Sequence, residues 1–459
     1  MVVVGRLLVS VLALGSVALA APAGAQVTPA GPVGDPLLVA LVEEALANNP
    51  DMAGAKEAAE AAAARPPQLR SLLNPMFSVA YTNDGWPRSL GSREMTTLAF
   101  IGRQDLPFPG KRRLRGDISA READQVLQQV ERAKLSLRAA VKRSYYGLLL
   151  NRDQLDLVGE QEELWKQIEG VARARYAVGQ GAQQDVLRVQ IEVTRIEQLR
   201  AERVAQSEIL LAELNRLLGR AAERPLEPQA PLSLRPVDRT LDDHLQSLSG
   251  VSPELKSASL AAEKGSLTVA LARKEFKPDF TLEGGYMNRG GLDAMWQAGV
   301  GVSLPLYRKR LSSGLAEAEA QLRSSQRLIE SIRLQLRFRT QERLAQLKAT
   351  AKVVELYAEG VVPQDRMSVD AALANYQTGK IPFIAVLEAL TTLYSDRTTH
   401  LELLANHARI RASLEEASLD NTSAMGSTAV AGMAALGGSR SSVAGPGAAA
   451  SGSGSMGKQ

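Results

Sequence analysis

The residue types best suited to chemistry are few in this chain and are not spaced for it. The histidines are His244, His400 and His407, and the last two lie seven residues apart, nearly two helical turns, which is not a metal-ligand spacing. The chain has no cysteine, which excludes thiol catalysis and thiolate metal sites. No glycine-rich phosphate loop or nucleophile motif stands out. The sequence therefore predicts no enzyme, no cofactor and no metal site.

The most informative pattern is a turn that occurs twice, 200 residues apart. Both copies keep a tyrosine, a glycine three residues later and a Val-Leu pair. These positions are Tyr176, Gly179, Val186 and Leu187 in the first copy and Tyr376, Gly379, Val386 and Leu387 in the second. Each copy lies between long stretches of helix-forming residues, and the glycines are expected to end helices in a left-handed conformation. A repeat of this length predicts a duplicated architecture whose turns are candidate working parts.

Each half of the chain is predicted to run helix, β-hairpin, long helix, tight turn, long helix. The dipeptides Asn49-Pro50 and Ser252-Pro253 begin corresponding helices in the two halves. The predicted segments are a signal peptide at 1–25, a first repeat at 26–223 with a hairpin at 76–106, a Pro-rich linker at 224–240, a second repeat at 241–419 with a hairpin at 279–306, and a disordered Gly/Ala/Ser tail at 420–459. An uncleaved anchor is the alternative at the N-terminus.

The predicted strands alternate between apolar residues on one face and small or polar residues on the other. Phe77, Val79 and Tyr81 show this in the first strand. The pattern is typical of a transmembrane β-barrel and also of an ordinary soluble hairpin. Aromatic residues at one end of the strands, and a basic run that includes Lys111 at the other, favour the membrane over a merely solvated charge run. The predicted membrane-interface residues are Tyr81, Trp86, Tyr286, Trp296, Arg112 and Arg310.

Strand number and charge limit the possible assemblies. Membrane barrels have about eight strands or more, and an open sheet edge is not viable in lipid, so four membrane strands predict that several chains pool them.

The chain has 54 basic and 50 acidic residues, a net charge of +4, which does not predict nucleic-acid binding.

Two long helical stretches are predicted at about 111–178 and 309–378. At about 1.5 Å per residue, each could reach roughly 100 Å. Gly159 and Gly360 lie at nearly equivalent places inside these stretches. They predict a kink or break in each one.

The repeated turns, hairpins and long helices together resemble the TolC family of outer-membrane efflux proteins. The resemblance covers about residues 36–418. The most specific similarity is in the two turns and in the stretch 388–394 that follows the second. The resemblance implies a mainly α protein with a small membrane β part, built as a homotrimer. Four strands per chain would form one twelve-stranded barrel in outer-membrane lipid, continued by a long periplasmic α-helical barrel. A periplasmic adaptor protein and an inner-membrane pump of the RND type, or an ABC exporter, would be the partners.

The segment 104–112, read Gln-Asp-Leu-Pro-Phe-Pro-Gly-Lys-Arg, is similar to the heavy-metal, CzcC- and CusC-like branch of that family. This implies an exit duct for heavy-metal cations. The same segment lies at a structural corner, where proline ends a strand and favours the start of a helix. Its sequence can therefore reflect common ancestry without indicating which substrate is transported. Drug efflux and type I protein secretion therefore stay open as alternatives. A soluble periplasmic coiled-coil scaffold is the rival of a different class.

The resemblance also implies gate residues beside the second turn. Glu388 matches one acidic gate position, where three copies around an axis would form a carboxylate ring that attracts cations. The other acidic position is Ala385 here. Asp185 and Tyr376 match positions that tie neighbouring helix pairs together in the closed state. Ile381 occupies the place of the usual basic partner, and Lys380 beside it could substitute.

The apolar residues beside the turns have two interpretations. Val186, Leu187, Val386 and Leu387, with Gly179 and Gly379, would form the tips that an adaptor contacts. Core packing is the alternative for the four apolar side chains, because they fall at helical spacing.

Overall fold

The computed structural model describes residues 35–91, 93–235 and 240–415. The predicted signal peptide at 1–25 and the predicted tail at 420–459 lie outside these residues. The elements are α1 Pro36–Asn48, α2 Pro50–Ala63, α3 Arg65–Arg70, β1 Met76–Thr82, β2 Thr97–Leu106, α4 Lys111–Ala177, α5 Gln183–Leu218, α6 Leu241–Val251, α7 Pro253–Lys274, β3 Asp279–Arg289, β4 Leu292–Ser303, α8 Arg308–Leu356, a π-helical turn Tyr357–Val361, α9 Val362–Gln377 and α10 Phe383–Glu415.

Polar side chains cap the starts of three helices. The Asp35 carboxylate accepts a hydrogen bond from the Leu37 backbone N–H at 3.0 Å, and Pro36 takes the first helical position. Asn49 caps α2 and Ser252 caps α7, each followed by proline. The corresponding positions of the two halves therefore use one device, a polar cap before a proline.

The four strands form one antiparallel sheet in the order β1-β2-β3-β4. Directly paired residues point to the same face of a sheet, so the register shows which side chains share a surface. One cross-strand row consists of Val79, Phe100, Tyr286 and Trp296, and the rows toward the helices add Leu282 with Val300 and Phe280 with Val302. The opposite face carries Arg103 beside Glu283, and Asp105 beside Thr281. One face is thus mainly apolar, with Gln104 and Asn288 among its residues, and the opposite face combines these polar pairs with apolar residues such as Ile101 and Met287. Strands β1 and β4 are the open edges of the sheet.

The long helices confirm one predicted break and contradict the other. Helix α4 runs for 67 residues without interruption, about 100 Å, so the predicted break at Gly159 is wrong. No atom lies within 4 Å of the position a Cβ would take at Gly159, and the surrounding turns keep their hydrogen-bonded geometry through it. Gly360 lies in the π-helical turn that separates α8 from α9, so the break predicted there is confirmed.

Two large hydrophobic clusters hold the helices together, and a smaller third cluster joins α8 and α10 around Leu347. One joins α4, α5, α9 and α10 near the two turns, and its largest buried side chains are Trp165 and Phe383. The other joins α1, α4 and α5 around Tyr145 and Leu214. Within the described residues, none of the helices combines the length and the apolar character needed to cross a membrane. The chain is therefore mainly helical with one small sheet, as predicted.

Candidate functional site

The two helical turns are built alike. Gly179 and Gly379 have φ angles of 75° and 76°, the left-handed conformation predicted for both. The backbone N–H of Gln180 donates to the Arg175 carbonyl at 2.9 Å, and that of Lys380 donates to the Asn375 carbonyl at 2.9 Å. These bonds span five residues and satisfy carbonyls that the ending helices leave free. Both turns are consequently fixed by the backbone, and their side chains are free to differ.

Tyr376 and Asp185 meet across the two turns. The Tyr376 hydroxyl donates to Asp185 Oδ2 at 3.3 Å, although the residues are 191 positions apart. Tyr376 is 3% exposed, and its ring packs edge-on against Phe383 with the centroids 5.4 Å apart. Burial and then the Asp185 carboxylate raise the pKa of the Tyr376 phenol, so the hydroxyl keeps its proton and acts as a donor at neutral pH. The α4–α5 turn and the α9–α10 turn are thereby joined.

The cation beside this pair is Arg175, a residue that the sequence prediction missed. Its guanidinium carbon lies 4.6 Å from the centroid of the Tyr376 ring, and its Nη2 donates to the Gln180 carbonyl at 3.0 Å. Lys380 is exposed, and across the described parts of the chain no ion pair joins it to Asp185. Arg175 directly precedes Tyr176 in the first turn, 201 positions before the ring it contacts, so no local spacing signals the contact.

The predicted adaptor-contacting residues separate into exposed and buried positions. Leu187 is 51% exposed and Gly179 and Gly379 are exposed, so all three lie at the surface of this chain. Val386 is fully buried in the cluster around Trp165, so its assignment as an adaptor contact is corrected to core packing. Val186 and Leu387 pack partly against the same cluster. Adaptor contact stays a prediction for the residues at the surface.

Glu388 is exposed on α10, one helical turn before Thr392. The Thr392 hydroxyl donates to the Glu388 backbone carbonyl at 2.9 Å, a bond that leaves the Glu388 carboxylate unused. A position in solvent fits a side chain that could line a passage. A carboxylate ring needs further copies of the chain, so it stays a prediction.

The corner between the sheet and the long helices contains a buried lysine. Lys111 is 1% exposed, and its Nζ lies 3.1 Å from Glu275 Oε2 and 3.0 Å from Asp279. Its predicted place against lipid headgroups is therefore wrong, because the charge is used inside the protein. Arg112 is half-buried and donates to the Arg70 carbonyl at 3.3 Å, while Arg310 is exposed.

The four aromatic residues predicted for a membrane interface are all exposed. Tyr286 and Trp296 are direct cross-strand partners on the apolar face of the sheet. The Tyr81 hydroxyl donates to the Ser89 carbonyl at 2.8 Å, which ties β1 to the following loop, and Trp86 in that loop is 99% exposed. Their contact with lipid stays a prediction. In the described part of the chain, no cluster of three or more His, Asp or Glu side chains could hold a metal ion.

A small sheet with one apolar face, continued by helices several times longer than its strands, is the fold of TolC-like channels. The chain belongs to the outer membrane efflux protein family, whose sequence model matches residues 41–220 and 245–418. The resemblance found in the sequence is thus confirmed. Members of this family are channels and not enzymes.

Three relatives illustrate the similarity. The cobalt-zinc-cadmium resistance protein CzcC of Cupriavidus metallidurans is 24% identical over 298 residues, which are 64% of this chain and 70% of CzcC. The crystal structure of CusC superposes with a TM-score of 0.71 at 18% identity, covering 83% of this chain and 91% of CusC. The outer-membrane protein VceC of Vibrio cholerae superposes with a TM-score of 0.70 at 19% identity, covering 83% and 95% of the two chains.

Proposed function

We propose that this protein is the outer-membrane exit duct of a tripartite efflux system, and that it passes heavy-metal cations passively from an inner-membrane pump and a periplasmic adaptor to the exterior. The carrying observation is the sheet, whose mainly apolar face has one row of apolar and aromatic side chains across all four strands and whose opposite face carries Arg103, Glu283 and Asp105. That combination suits lipid on one side and a water-filled passage on the other. The long helices would then extend into the periplasm, where most of the mass would lie.

The open edges of the sheet support a homotrimer. Strands β1 and β4 each have one unpaired side, and unpaired backbone groups are costly in lipid. Three copies would supply twelve strands, with β4 of one copy beside β1 of the next. The segment limits predicted from the sequence, with a signal peptide at 1–25, repeats at 26–223 and 241–419 around a linker at 224–240, and a tail at 420–459, belong to this proposal.

The metal cargo is supported by the relatives and by the predicted gate. CzcC is named as a cobalt-zinc-cadmium resistance protein, and the exposed Glu388 would give three carboxylates around a threefold axis. A ring of carboxylates attracts cations and repels anions. The pump is expected to be of the RND type, with an ABC exporter as the alternative partner for protein secretion.

The decisive test is planar-bilayer conductance of the detergent-extracted protein, together with its mass in solution. We expect trimers with a small, cation-selective conductance, and we expect Glu388→Gln to raise conductance and lower cation selectivity. The matched control is Glu197→Gln, which removes an exposed carboxylate from α5. A water-soluble protein that never inserts would refute the duct and leave the coiled-coil scaffold.

The cargo is tested separately in cells. A strain lacking the gene should become sensitive to cobalt, zinc or cadmium salts and regain resistance with the intact gene. Sensitivity to organic toxicants alone would instead assign the duct to drug efflux.

A further inference from the structure

Arg175 connects the two turns through two contacts and lies close to a third position. The guanidinium covers the Tyr376 ring in the second turn, at 4.6 Å from the centroid. Its Nη2 donates to the Gln180 carbonyl in the first turn at 3.0 Å. The same nitrogen lies 3.4 Å from the position that a Cβ would take at Gly379. One side chain therefore contacts both turns and fits closely against the glycine that ends α9.

The part of the Arg175 guanidinium that makes no hydrogen bond faces the Tyr376 ring. Nε and Nη1 of Arg175 are buried and have no hydrogen-bond acceptor. Buried N–H groups of a cation that lack acceptors are costly unless another negative surface faces them, and the face of a tyrosine ring carries that negative potential. If the turns separated, the guanidinium would lose the ring. The contact thus favours the arrangement in which the turns stay together.

The contact also breaks the similarity between the two turns. Arg175 and Asn375 hold the same place in their turns, since the carbonyl of each accepts the bond that closes the turn. The first copy supplies the cation and the second supplies the buried aromatic ring, while Tyr176 of the first copy is exposed. The duplicated halves have therefore become complementary at this point.

We propose that Arg175 is a positioning residue of the gate. It holds the Tyr376 ring where the Tyr376 hydroxyl reaches Asp185, and so keeps the α4–α5 and α9–α10 helix pairs together and the channel closed. The inference rests on the proposed function and assigns to Arg175 the part that the sequence suggested for Lys380. The planar guanidinium can stack on the ring and donate to Gln180 at the same time, whereas an ammonium group offers no plane.

The test compares single-channel conductance of four purified proteins in planar bilayers. Arg175→Gln should raise conductance several-fold above that of the unaltered channel, and Arg175→Lys should fall between the two, because it keeps the charge and loses the plane. The control is Arg173→Gln, since Arg173 lies two residues away on the same helix and pairs with Glu169, at 2.6 Å. The control should conduct like the unaltered channel.

A double variant separates positioning from general destabilisation. If Arg175 acts through the hydrogen bond between Tyr376 and Asp185, Arg175→Gln combined with Asp185→Asn should open the channel no further than Asp185→Asn alone. Additive opening would overturn the proposal, as would a silent Arg175→Gln beside an opening Lys380→Gln. In those cases the unaltered protein still conducts and the proposed duct stands. An unaltered protein that forms no pore would refute the duct and this inference together.

Discussion

The ammonium group of Lys111 lies 3.0 Å from the carboxylate of Asp279, which joins the first residue of α4 to the first residue of β3. The same carboxylate accepts the Phe108 backbone N–H at 2.7 Å, and Glu275 provides a second acceptor for Lys111 at 3.1 Å. The strand–helix corner of the first half is thereby fastened to the second half. The sheet and the helices keep a fixed relative orientation because of this cluster.

Removing the buried charge should weaken the corner. Lys111→Met would leave the Asp279 carboxylate without its cation, while Glu275 would keep its longer contact with Arg115, at 3.4 Å. We expect a loss of about 2 kcal/mol in stability, since both carboxylates remain partly hydrated. The loss of stability is measured by thermal unfolding of the detergent-solubilised protein. Arg113→Met is the control, because Arg113 is largely exposed and its ion pair with Asp117 is long, at 3.6 Å. Equal melting temperatures for the two variants would contradict the structural role of Lys111.

The hydrogen bond between Tyr376 and Asp185 should limit the conductance of the channel. Asp185→Ala removes the acceptor of the Tyr376 hydroxyl, and Tyr376→Phe removes the donor while keeping the packed ring, so both should raise single-channel conductance. Conductance in planar bilayers and leakage of a large antibiotic into intact cells are the readouts. Tyr176→Phe changes the corresponding exposed tyrosine and should have no effect. Unchanged conductance and leakage in both test variants would remove this bond from the gate.

The contact between α9 and α10 near the π-helical turn should depend on pH. Burial, followed by the neighbouring Asp396 carboxylate, raises the pKa of the Asp365 carboxyl. The folded protein therefore holds this proton more tightly than the unfolded chain does. The stabilisation is complete at acid pH and is lost as the pH rises through the raised pKa.

An amide at this position mimics the protonated carboxyl. Asp365→Asn should thus raise the melting temperature at pH 7.5 and change it much less near pH 4. Asp370→Asn, on the exposed side of the same helix, is the matched control. A stabilisation that is the same at both pH values would mean that the Asp365 proton is not involved.

The two faces of the sheet should respond differently to charge. Val300 is 70% exposed on the apolar face, and a lysine there would cost about 2–4 kcal/mol at the middle of a bilayer. We expect Val300→Lys to reduce the amount of trimer recovered from outer membranes. Gln297 lies on the opposite face and donates to Glu283 at 3.1 Å, so Gln297→Lys would find a carboxylate partner and should be tolerated. Similar recovery of both variants would argue against lipid on the apolar face.

The sequence by itself determined the local elements and their duplication. The caps at Asp35, Asn49 and Ser252, the left-handed glycines and the alternation in the hairpins are all set by residues a few positions apart. Such signals act over one turn or one strand, so they can be identified without knowing what packs against them. The resemblance to the efflux family rested on more specific residues, those of the two turns and of the stretch 388–394, and the family model confirmed it.

Only the tertiary structure decided which distant side chains meet. The burial of Lys111, the packing of Val386 in the core and the stacking of Arg175 on Tyr376 join residues that are roughly 170–200 positions apart or depend on a whole cluster. The uninterrupted passage of α4 through Gly159 belongs here too, since a glycine costs only about 1 kcal/mol in a helix and packing along 67 residues outweighs it. Sequence spacing fixes the direction of a side chain on its own helix, but the partner it faces depends on how the helices are placed against one another.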